Sequence, residues 1–182
     1  MKLGAITSAE KISEGTPVTI GRSTELLGAS QNPVELKGVF TQVSVDLDAE
    51  VRNTVTQSLL AAKVTAVPDR IFLNLEDVQG TQNATVLGVY IDLPAGDPPS
   101  EHPELLAGSV GLFGLRAASA PGGKHGGQGL SFTLEITKIV DALHISDQLN
   151  ANALKVTLVP SKPISEQVPI TIGRISLYRK GL

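Results

Sequence analysis

The chain contains no cysteine and no tryptophan, and its two tyrosines and four phenylalanines make only 3% aromatic residues. Without cysteine there is no disulfide scaffold and no thiolate zinc or redox site, although the compartment stays open. So few aromatics leave almost nothing on which to stack bases or sugar rings. Basic charge is also scarce. Fifteen Lys and Arg stand against eighteen Asp and Glu, for a net charge of −3, and no basic cluster exceeds a pair. The electrostatic footprint of a nucleic-acid binder is therefore missing. No run of eighteen apolar residues occurs, so nothing predicts a membrane-spanning helix. Met1–Ala5 lacks the apolar stretch of a secretion signal.

What is abundant points to strands. Eighteen glycines and eleven prolines exceed what a helical bundle tolerates, and suit many short strands joined by turns. A length of 182 residues accommodates one well-buried core and would cramp a second. We read residues 1–182 as a single domain: 1–40 an N-terminal extension with a first edge strand, 41–182 the sandwich core. Pro17–Ile20 is the candidate edge strand, and Gly28–Pro33 reads as a loop.

Alternating apolar positions mark the strands. A period of two runs from Val39 to Leu47, with Val43, Val45 and Leu47 on one face. Ile71, Leu73 and Leu75 likewise share a face, and then Leu87, Val89, Ile91 and Leu93. Turn residues from Asp77 to Asn83 make the last two runs read as a hairpin with a long loop. Leu105–Leu115 is apolar, with Val110, Leu112 and Phe113 read as buried. Leu130, Phe132, Leu134 and Ile136 oppose Ser131, Thr133, Glu135 and Thr137 on a strong strand. Leu154–Val159 and Val168–Tyr178 close the chain around the loop Pro160–Gln167. Helical spacing occurs near Gln57–Ala62, and one or two helical turns fit Ile139–Asn150. Two connections stand out: Pro94–Pro103 with four prolines, and Ala117–Gly129 with five glycines and a proline. The pattern predicts an all-β fold, an antiparallel β-sandwich or jelly-roll-like barrel with one or two short helices.

Catalytic constellations are hard to find. His102, His125 and His144 are the only histidines, and their positions lack the close spacing of metal ligands. They read as exposed or structural, and a three-histidine metal site is the minor alternative. Gly122–Gly127 lacks the Gly-Lys-Ser/Thr ending of a phosphate loop and runs into a strand rather than a helix. No Gly-x-Ser-x-Gly elbow is present. The carboxylate pairs Glu101/Glu104 and Asp46/Asp48 read as solvated faces, and Asn83-Ala84-Thr85 is a bare glycosylation tripeptide. No catalytic, cofactor-binding or metal-binding residue is assigned.

Several segments nevertheless resemble, in order and spacing, the C-terminal shielding domain of bacterial tyrosinases and polyphenol oxidases, the type-3 copper proteins. They are Arg70–Gly80, Val86–Pro94, Leu106–Leu115, His125–Phe132, Leu134–Leu143, Leu154–Pro160 and Ile170–Tyr178. The resemblance covers residues 70–180 and more loosely 26–49. In that family a separate helical unit uses six histidines to hold two copper ions. Three histidines cannot supply that set, so the resemblance implies the accessory domain alone. It implies a β-sandwich that covers the copper site of an oxidase domain, in cis or as a separate chain, and keeps it latent. The copper-delivery cysteine motif of some fungal relatives has no counterpart here. Pro94–Pro103 and Ala117–Gln128 are the candidate covering loops, and Phe113, Leu115, Lys124 and His125 the candidate plug or covering residues. The other reading is a free-standing β-sandwich binding or self-assembly module without enzymatic activity.

Overall fold

Where apolar residues recur every second position, a strand buries one face and gains from burying each large aliphatic side chain, about 1.5–3 kcal/mol apiece. In the computed structural model, which describes residues 24–47, 70–81, 85–123, 126–150 and 152–181, nine strands follow this logic. They are β1 (Thr24–Ala29), β2 (Val34–Leu36), β3 (Thr41–Leu47), β4 (Arg70–Gln79), β5 (Val86–Ile91), β6 (Leu106–Gly111), β7 (Leu130–Glu135), β8 (Ala153–Pro160) and β9 (Ile170–Lys180). Two short helices join them among the described residues, α1 (Leu115–Ser119) and α2 (Thr137–Ile145).

All pairings are antiparallel, and the strand order is β6-β5-β8-β3-β1-β9-β4-β7, with β2 also on β9. The terminal strands β6 and β7 pack against each other, where Leu134 reaches over Gly108. The sheet thus curls into a nearly closed barrel, and the expected all-β class with two short helices is what forms. Its interior is filled by Leu36, Val45, Leu73, Leu75, Leu87, Val89, Ile91, Leu112, Val156, Leu158, Ile172, Ile175 and Leu177.

The structure corrects the sequence reading in several places. β4 and β5 are not a hairpin: β4 pairs with β7 and β9, while β5 pairs with β6 and β8. Both strands are long and two-faced, so nothing local prevents each from seeking distant partners. The sheet also begins before residue 41. β1 lies inside it between β3 and β9, and covers Gly28 and Ala29, which read as loop. Gly28 is needed because a Cβ there would strike the carbonyl of Asp46. The candidate edge strand Pro17–Ile20 and the helical stretch Gln57–Ala62 lie outside the described residues. α2 starts at Thr137, two residues before the expected helical turns.

Leu73 has no exposed surface and sits in register between Leu134 of β7 and Leu177 of β9. Leu73→Ala is expected to cost about 2–5 kcal/mol, measured by urea unfolding with an unchanged m-value. A loss under 1 kcal/mol would mean that this wall of the barrel is not packed as described.

Candidate docking face

The end of β6 sets up the most exposed aromatic side chain of the described structure. Leu112 and Leu115 are both fully buried, and only Phe113 and Gly114 separate them. The chain turns back through a left-handed Gly114 at φ 77°, a conformation open to glycine at little cost. The Leu112 N–H donates to Thr85 O at 3.0 Å and the Leu115 N–H to Leu112 O at 3.3 Å. With both neighbours anchored in the core, Phe113 is left 69% exposed. Its ring lies beside Gly111, where an added Cβ would stand 2.9 Å from the ring. The expectation that Phe113 is buried is thereby overturned. Leu115, the other candidate plug, belongs to the core and contributes by holding the turn.

The loop expected over Ala117–Gln128 begins as helix, since α1 runs to Ser119. Its flanks are tied to β4 and to each other. Ser119 Oγ accepts from the Gly80 N–H at 3.0 Å, Gly129 N–H donates to Ala118 O at 3.1 Å, and Gln79 Nε2 donates to Gly127 O at 2.8 Å. Lys124 and His125 lie outside the described residues.

Register locates these parts relative to one another. Val86 pairs with Gly111, Leu87 with Pro160, and Thr41 with Leu158. The start of β5, the ends of β6 and β8 and the start of β3 therefore share one end of the barrel. Val78 pairs with Leu130 and Gln79 with Thr171, so the Ala117–Gln128 segment leaves from that same end. The Pro94–Pro103 loop joins the other ends of β5 and β6, so it lies at the opposite end. The two candidate covering loops cannot act together on one small site.

The Pro94–Pro103 loop is built around His102. Its Nδ1 is 3.1 Å from Glu104 Oε1 and its Nε2 is 3.0 Å from Asp97 Oδ2. This clasp escaped the sequence reading, although the pattern Asp97-x4-His102-x-Glu104 within a proline-rich segment carries it. With both nitrogens turned to carboxylates, the ring is poorly placed to join other histidines on a metal. His144 lies on α2, and His125 falls outside the described residues. Among the described residues no group of three His, Asp or Glu side chains is arranged for a metal ion, so the side chains described do not fit a copper centre. Asp46 of the candidate carboxylate pairs accepts from Gln31 Nε2 at 2.6 Å, and Asp48 and Asn83 lie outside the described residues. One half-buried carboxylate is incompletely satisfied. Asp92 Oδ1 accepts from the Lys155 N–H at 2.9 Å while Oδ2 is buried without a partner, and burial raises its pKa against that hydrogen bond.

Comparison with known proteins gives this barrel a place. The sequence matches, over residues 23–180, the family described as a domain of unknown function, DUF7868. The chain belongs to the DUF7868 family. Tyrosinase HcTyr1 of Hahella sp. strain CCB-MM4 is 29% identical to it over 109 residues, which are 60% of this chain and 23% of the tyrosinase. A recombinantly expressed latent aurone synthase, a polyphenol oxidase, superposes with TM-score 0.50 and 13% identity over 82% of this chain and 25% of its own. A latent apple tyrosinase aligns over 82% of this chain and 27% of its own at 18% identity, with TM-score 0.44, too low to add to the argument. This DUF7868 chain thus spans about a quarter of the relatives it matches, and its barrel has the fold of the C-terminal domain of latent polyphenol oxidases.

The clasp has a definite pH signature. A neutral imidazole donates from one nitrogen, so only the imidazolium satisfies both carboxylates. Its bonds to Glu104 and then Asp97 raise the His102 pKa. The clasp is complete below the ordinary imidazole range and is lost as pH rises through the raised value. An NMR titration is expected to find His102 titrating above an ordinary histidine, and Glu104→Gln and Asp97→Asn each to bring it down. An ordinary midpoint unaffected by both changes would contradict the clasp.

Proposed function

We propose that this chain is a non-catalytic domain that covers the dicopper active site of a tyrosinase or polyphenol oxidase, keeps it latent and stabilises it. The observation that carries the reading is Phe113, an aromatic ring held in solvent by a turn anchored on both sides. Kinship with a tyrosinase and a fold shared with the C-terminal part of latent polyphenol oxidases support the same reading.

The chemistry of a cover is exclusion. A diphenol reaches two copper ions only if its ring enters the cleft, and a phenyl ring seated there competes for the same space. Phenylalanine suits that task because it carries the ring of the substrate without a hydroxyl to oxidise. A rigid turn adds to the effect, since little conformational entropy is lost when the ring docks. The copper ions would be held by the partner, so no residue of this chain takes part in the oxidation. Ala117–Gln128, at the Phe113 end, is the covering loop under this reading. The segment Pro94–Pro103 has no role at the copper entrance.

The test is to titrate the chain into the oxidase portion of the Hahella tyrosinase, lacking its own matched region, and to follow diphenol oxidation. Saturable inhibition is expected, with slower thermal inactivation of the oxidase. Phe113→Ala is expected to weaken inhibition about tenfold or more, as loss of a buried aromatic anchor does, without lowering the unfolding temperature. Absence of inhibition at high concentration of folded chain would favour an independent binding or assembly module.

A further inference from the structure

Four large apolar side chains left in solvent gather at one end of the barrel. Besides Phe113 they are Val39 at 62%, Phe40 at 61% and Val86 at 37% exposure. Val39 and Phe40 immediately precede β3, Val86 opens β5, and Phe113 follows β6. In the strand order β6-β5-β8-β3 they span three strand spacings, about 14 Å at the usual separation. Pro160, the last residue of β8, pairs with Leu87 between them. The apolar side chains of the rim are interrupted by the hydroxyls of Thr85 and Ser161, which lie 3.1 Å apart beside Val86.

Phe40 does not reach the solvent by default. The Gly38 N–H donates to Ile164 O at 2.8 Å and the Ile164 N–H to Gly38 O at 2.9 Å, while Gly38 takes a left-handed φ of 70°. Ile164 is buried. The chain is thus fixed two residues before Phe40 and again at Thr41, which pairs with Leu158. Like Phe113, Val39 and Phe40 are held in solvent on a short anchored segment. Such a pair in water contributes nothing to the core, and together with Phe113 and Val86 it adds to an exposed apolar patch of the kind that marks interaction sites.

We infer that this end of the barrel is a single docking surface for the apolar rim around the cleft of a tyrosinase-type oxidase domain, with Val39 and Phe40 as a second anchor beside Phe113. The inference rests on the covering role proposed above and names the surface that role uses. Size favours this occupant over a second copy. Four such side chains expose on the order of a few hundred Å², well short of the roughly 800 Å² that each partner of a stable free complex buries. A small patch suffices when the partner is tethered, because tethering makes the effective concentration high. In the relatives, the matched region is about a quarter of one longer chain. Ile145, also highly exposed, ends α2, which follows β7 at the opposite end of the barrel, and lies outside this surface.

The experiment measures two quantities with the oxidase portion of the Hahella tyrosinase immobilised: binding of the chain, and inhibition of diphenol oxidation. Phe40→Ser is expected to weaken binding about tenfold, with Phe40→Leu restoring most of it, Ile145→Ser unchanged, and the unfolding temperature of all three preserved. Phe40→Ser binding as tightly as the unsubstituted chain, while Phe113→Ser is impaired, would overturn the second anchor and leave the covering role standing. Binding that depends on Phe40 without any inhibition would support the docking surface and refute the covering role. Concentration-dependent dimerisation of the chain alone, abolished by Phe40→Ser, would assign the surface to a second copy and overturn the inference. No binding by the unsubstituted chain, and no Phe40-dependent inhibition when it is joined to the oxidase portion in place of the tyrosinase's own matched region, would also overturn it.

Discussion

Everything in this barrel hangs on β9. Along one side it pairs with β4 from Arg70–Lys180 to Gln79–Thr171, and along the other with β1 and β2. The last described strand is thereby clamped between the first and the middle of the chain, and its Ile170, Ile172, Ile175 and Leu177 face a common interior. Such distant pairings form only after long loops have closed, which predicts slow folding for the size. The strands next to Phe113, Val86 and Phe40 are β6, β5 and β3, and by strand pairing they join β9 only through β1.

The strands were legible where the period of two is clean. Ile71, Leu73 and Leu75, and Leu87, Val89 and Ile91, are all buried as the alternation predicts. The reading failed where the backbone inserts a residue. β4 continues past Leu75 to Val78 through an irregularity in its pairing with β7, at which Asp77 adopts a positive φ of 53°. Aspartate tolerates that conformation and is also a turn former, so the sequence pattern there is that of a turn. β9 has the matching irregularity, because Ile172 and Ile175 both point inward although three residues apart. Pairing choice was invisible for a different reason: β4 and β5 are each compatible with several partners, and only closure of the whole sheet decides between them.

The proposed docking face was half legible. Phe113 stood out as the aromatic beside a glycine-rich segment, but an apolar residue after a strand is ordinarily core, and only the burial of Leu112 and Leu115 on either side forces it outward. Val39 and Phe40 read as the start of an alternating strand, whereas β3 begins at Thr41 and both are exposed beside the bridge between Gly38 and Ile164, 126 positions apart in sequence. The separation of Pro94–Pro103 from Ala117–Gln128 follows from strand direction, which no local pattern contains.

The proposed covering role places the aromatic residues at one end of this nearly closed barrel against another protein. Hydrogen exchange of this chain, with and without the oxidase portion of the Hahella tyrosinase, tests that most directly. New protection is expected at residues 38–41, 85–87 and 111–119, and none at 94–105. Protection confined to 94–105 or to the outer face of β4 and β9, or none at saturating partner, would contradict it.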